Sequence, residues 1–177
     1  MNKILWTFLS VCLSSCVTSG LYSGYKHLNE EEKLRVIEYQ GDIDNLRNDG
    51  NVYKVRVSQV KELINKYTDV VVYEYTSFCT NKSCVPPYLL ESFCQTKGYK
   101  LVVVSTIYDN IWSTQRKNIP LLTIDTAPYK TDLRFKYEKR FFDELTGIPE
   151  KQRNYGIFYY FHNSQFIKDF SSHTDIP

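Results

Sequence analysis

The chain has no internal repeat, no Gly-rich phosphate loop and no long low-complexity tract. These absences argue against a repeat array and against a P-loop phosphate site. No G-x-S-x-G elbow occurs, so Ser/His/Asp catalysis has no local support. Strong charge of either sign is also missing: the net charge is +2 with 24% charged residues, and nothing in it implies a nucleic-acid partner. The apolar run Ile4 to Leu13 is too short to cross a bilayer, which takes about 20 residues. Cysteine is sparse, with five in the chain, so each position carries information.

What is present begins with that N-terminal run. Lys3 supplies a short positive segment, Ile4 to Leu13 an apolar one, and "LSSC" follows at Leu13 to Cys16. Small residues before a cysteine resemble the lipobox of bacterial lipoproteins. The resemblance implies that residues 1–15 are a signal peptide and that Cys16 carries diacylglycerol as the first mature residue. It also implies that the protein sits lipid-anchored on a membrane of the cell envelope, outside the cytoplasm. Cys12 would leave with the signal. Three cysteines then remain, Cys79, Cys84 and Cys94, in a compartment where disulfides persist. One pair and one odd thiol is the natural partition, and Cys94, inside an apolar helical stretch, reads as buried and inert.

Residues 16–28 read as lipidated cysteine and tether, 29–50 as a helix and turn, and 51–177 as one domain, a usual single-domain size. In 29–50, Asn29 suits an N-cap, three glutamates suit the helix start, and Leu34, Ile37 and Tyr39 form an apolar face. From Asn51 the pattern predicts strand "VYKVRV", with alternating sides, and a helix capped by Ser58. A buried strand "DVVVYEYTSF" follows, then a helix from the prolines to Gly98, then a second buried strand "YKLVVVST". Next come a short helix or loop, the apolar run "IPLLTID", a long helix ending at Gly147, and a hairpin with "HNS" at its turn. Fifteen Tyr and ten Phe fit a strand-rich core with aromatic packing. The fold class is α/β, a central mixed sheet flanked by helices: βαβαβ, then a helix and a C-terminal hairpin.

Element order, together with Cys79 and Cys84 placed between the second strand and the second helix, resembles the thioredoxin superfamily over roughly Asn51 to Phe170. Residues 109–129 would be an insertion relative to its smallest members. The resemblance implies thiol–disulfide exchange with envelope proteins that carry thiols or disulfides, needing no cofactor. Cys79 would attack and Cys84 resolve, Lys82 would add positive potential, and Glu74 would accept a proton. This pair is separated by four residues where thioredoxins have two. Where that family places a cis-proline before its hairpin, this chain has Arg153 to Gly156, "RNYG".

Two other readings stay open. Cys79 and Cys84 suit a disulfide that only holds the turn, in a non-catalytic binding or scaffold lipoprotein. Alternatively Cys79, Cys84 and His162 resemble the donor set of the copper-handling Sco family, since soft thiolates with an imidazole suit copper. Zinc would need more ligands than the chain assembles locally. Asp125 reads either as a carboxylate at a strand end beside the site or as a turn residue.

Overall fold

The computed structural model describes residues 20–79, 84–113 and 118–177. The lipobox with Cys16, and Lys82, lie outside these residues. Among the described residues no helix is long and apolar enough to cross a membrane.

Seven strands form one mixed sheet: β1 (Val36–Glu38), β2 (Val52–Val55), β3 (Asp69–Tyr75), β4 (Lys100–Ser105), β5 (Leu121–Ile124), β6 (Phe158–His162) and β7 (Gln165–Phe170). Their order across the sheet is β1-β2-β5-β4-β3-β6-β7. The first five are parallel, and β6 and β7 add to β3 antiparallel. The helices are α1 (Glu30–Leu34), α2 (Val57–Ile64), α3 (Pro87–Lys97) and α4 (Arg134–Thr146). The described residues therefore form an α/β fold with four helices and a C-terminal antiparallel hairpin, as the alternating pattern leads one to expect.

Side-chain alternation divides the core between the two sheet faces. Val70 and Val72 of β3 pack with Val60 and Leu63 of α2 and with Phe141, Phe142 and Leu145 of α4. Val71 and Tyr73 point the other way, into a cluster with Leu90 and Cys94 of α3 and Phe158 of β6. The run "DVVVYEY" is almost continuously apolar because β3 is central and covered on both faces. α3 starts on Pro87, and both α3 and α4 end on a left-handed glycine, Gly98 (φ 74°) and Gly147 (φ 71°). Asn163 and Ser164, both at positive φ, turn the hairpin.

Several expectations are corrected. The N-terminal helix stops at Leu34, which is 84% exposed, and Ile37 lies in β1, paired to β2. Pairing at the sheet edge uses the backbone of Val36–Glu38, whereas a longer helix would leave the edge of β2 open. Asn29 does cap α1, in a reciprocal pair with Glu32. Ser58 does not cap α2; the helix begins at Val57, and the Gln59 side chain accepts the Arg56 N–H at 2.9 Å. β2 is covered on both faces, so its alternation does not mark an outer side: Val52 packs beneath Tyr108 and Ile111, Tyr53 and Val55 on the other face. "IPLLTID" is a central strand, β5, inserted between β2 and β4. Finally, residues 20–28 of the expected tether are part of the domain. Ser23 and Leu28 are buried, the Ser23 N–H donates to Asp132 O at 3.1 Å, and Tyr108 N–H donates to Ser23 O at 2.7 Å.

Candidate functional site

The end of β3 leads into the cysteine loop, and both limbs of that loop are anchored by hydrogen bonds. On the first limb, the Cys79 N–H closes a turn onto Thr76 O at 3.0 Å. The Ser77 hydroxyl donates to Asp109 O, and Arg134 Nη2 of α4 donates to Thr76 Oγ1 at 2.8 Å. On the second limb, the buried Tyr73 hydroxyl donates to Val85 O at 3.0 Å. Pro86 then caps α3 in an extended conformation, as a residue preceding proline must.

These anchors bring Cys79 and Cys84 together as a disulfide with Cα atoms 6.0 Å apart. Both residues are half-buried, and both line a cavity of 290 Å³ with Tyr75, Pro86, Pro87 and Tyr88. An incoming sulfur can therefore approach the bond from solvent. Cys84 precedes α3 by three residues, so the disulfide is joined through it to the positive end of that helix. Cys94 is a free, buried thiol on α3, its pKa pushed up to about 12 by burial, and it takes no part.

The disulfide closes a loop of only a few residues, so its chain-entropy contribution is about 2 kcal/mol. Because the limbs are held independently, Cys79→Ser/Cys84→Ser should remain folded and lose no more than that in a urea denaturation. A loss of about 4 kcal/mol or more would mean that the bond itself holds the loop.

The other sequence candidates do not converge on the sulfurs. His162 pairs in register with Asp69, at the far end of β3 from the cysteine loop; its Nδ1 lies 2.7 Å from Asp69 Oδ1. Seven residues of strand separate the two ends of β3, about 20 Å. The Cys79, Cys84 and His162 set is thus not assembled, and among the described residues no other cluster of three metal-ligating side chains is. Asp125 is a turn residue: it accepts the Ala127 N–H at 3.1 Å and pairs with Arg56 at 3.0 Å.

Glu74 lies between Tyr73 and Tyr75 and projects to the opposite face, under α4. There Tyr159 donates to its Oε2 at 2.7 Å. Burial, and next the facing Glu138 carboxylate, raise the Glu74 pKa well above the usual range. Sequence reasoning missed Glu138. The only local sign is its position four residues after Arg134, to which it is bonded at 2.6 Å. It also missed Asp169, a buried carboxylate that accepts the Gly156 N–H at 2.5 Å and the Asn154 N–H at 3.0 Å and so shapes the "RNYG" loop.

No family model, curated protein or solved structure matches the chain.

Proposed function

We propose that the protein is a membrane-anchored, thioredoxin-like lipoprotein of the bacterial cell envelope that exchanges disulfides with other envelope proteins through Cys79 and Cys84. The observation that carries this reading is the accessible Cys79–Cys84 disulfide at the end of a central strand, opening on a cavity beside a proline-started helix. The independent anchoring of the two limbs supports it over the purely structural reading, since a staple is superfluous where both ends are already held.

In the reducing direction, the Cys79 thiolate attacks one sulfur of a partner's disulfide and displaces the partner's second sulfur as a thiolate. The Cys84 thiolate then attacks the Cys79 sulfur of the mixed disulfide. The partner leaves with two thiols, and Cys79 and Cys84 are left oxidised, two electrons having passed to the partner. The reverse sequence oxidises a partner dithiol. Glu74 does not line the sulfur cavity, so in this reading the accompanying protons pass through solvent and not directly to Glu74.

A glutathione-buffer titration with mass-spectrometric thiol counting tests the proposal. The pair should equilibrate readily at about −120 to −270 mV, and Cys84→Ser should accumulate mixed disulfides on Cys79. A bond that stays oxidised below about −300 mV, or is reduced only on unfolding, makes it a structural staple in a binding lipoprotein.

A further inference from the structure

Between α4 and the Arg153–Gly156 loop lies a cleft of 160 Å³ that disulfide chemistry does not use. Its floor is polar and interlocked. Tyr159 donates to Glu74 at 2.7 Å and receives Arg153 Nη1 at 3.0 Å, while Arg153 Nη2 donates to Asp143 at 2.8 Å. Arg153, its side chain only 5% exposed, closes the cleft from below. The lips are aromatic: Phe135 is 59% and Tyr155 71% exposed. Tyr155 holds a left-handed φ of 58°, uncommon for a bulky residue, within the loop that Asp169 fastens.

The charges point to the ligand class. The carboxylates of Glu138, Asp143 and Glu150 are offset by Arg134, Lys139 and Arg153. Glu74 favours its neutral form. With no net charge, the cleft selects for neither a phosphate nor a cation. It offers donors and acceptors on the floor and flat apolar surfaces at the rim. An uncharged ligand with an apolar face and a hydroxylated edge satisfies both. The volume equals that of about five water molecules, room for a single ring.

We propose that this cleft binds one pyranose unit of a glycan. The ring stacks on Phe135 or Tyr155, and its hydroxyls donate to Glu138 and accept from Lys139 Nζ. The proposal stands apart from the redox reading.

Titration of the full chain in zwitterionic detergent with N-acetylglucosamine and with glucose, followed by saturation-transfer NMR, tests it. Saturable binding of at least one sugar is expected, with a Kd of about 1 mM, usual for so few contacts. Phe135→Ala alone, at an exposed position that leaves the fold intact, should weaken binding several-fold. Phe135→Ala/Tyr155→Ala should abolish it, with the circular dichroism unchanged. Absence of saturable binding for both sugars at concentrations well above 1 mM overturns the proposal. So does binding that survives the double substitution, or saturable tetramethylammonium binding in place of sugar, which makes the cleft a cation site.

Discussion

Gly156→Ala should destabilise the protein by about 3 kcal/mol or more, the upper part of the range for inserting a methyl group where there is no space. A Cβ built on Gly156 would sit 2.4 Å from the Phe170 nitrogen and 2.5 Å from its carbonyl carbon and oxygen. These are backbone atoms, which cannot swing aside as a side-chain end can. Relief would require β7 to move away. Yet β7 is held at that point by Ile157 N–H donating to Phe170 O at 3.0 Å and by Asp169 gripping the Gly156 N–H at 2.5 Å. The Ile157 carbonyl also accepts the Glu74 N–H at 2.9 Å, so the disturbance reaches β3 and the start of the cysteine loop. Urea denaturation checks this, with Gly98→Ala as the comparison. Gly98 has nothing within 4 Å but a φ of 74°, so alanine there should cost only the left-handed backbone strain, about 1–2 kcal/mol. If Gly156→Ala proves no worse than Gly98→Ala, β7 is not pinned against the loop as described.

Glu74→Gln should stabilise the protein at neutral and alkaline pH and change little near pH 4. The sign follows from proton counting. Below about pH 4 the Glu74 carboxyl is protonated whether the chain is folded or not. Above that, the unfolded chain ionises it. The folded protein retains the proton, because burial and next the Glu138 carboxylate disfavour a second negative charge. The folded state then binds more protons than the unfolded one, so stability falls as pH rises, until the raised native pKa is passed. Each unit by which the native pKa exceeds the unfolded one costs about 1.4 kcal/mol in that window. Glutamine accepts from Tyr159 and donates to Glu138 without titrating, and so removes the slope. Thermal melts from pH 4 to pH 9 are the measurement, each kcal/mol appearing as about 2–4 °C in Tm. The acid limb should persist in the variant, since it has other sources. The Asp69 pKa is lowered by its bond to His162 and next by that to Tyr160. For Asp143, burial opposes ionisation, but the bonds from Lys139 and Arg153 prevail and lower its pKa. Both contribute stability above their unfolded values that is lost as pH falls through the lowered ones. Parallel melting curves for wild type and Glu74→Gln across the whole range would mean that Glu74 is ionised in the folded state.

Glu74 and Gly156 differ in how far each is legible in the chain. Glu74 could be singled out as an acid on the strand leading to the cysteines, but the side it faces depends on which helix covers which face of β3. Its partner Tyr159 is 85 positions away in sequence. Gly156 lay in the "RNYG" segment, notable only for lacking a proline. Nothing nearby announces that Asp169 and Phe170 close over it.

By itself the sequence determined the features whose physics is local. These are the α/β alternation, the proline start of α3, the glycine stops at Gly98 and Gly147, the hairpin turn after His162, and the nearness of Cys79 to Cys84. Each rests on backbone preference or side-chain period within one or two turns of chain. Only the tertiary structure decided that Val36–Glu38 is an edge strand, that β5 lies inside the sheet between β2 and β4, and that residues 20–28 strap the domain. The same holds for Glu74 meeting Glu138 beneath α4. Those outcomes depend on which backbone edges and buried faces remain to be covered once the helices have packed, a balance struck between segments far apart in sequence, and so no short stretch records it.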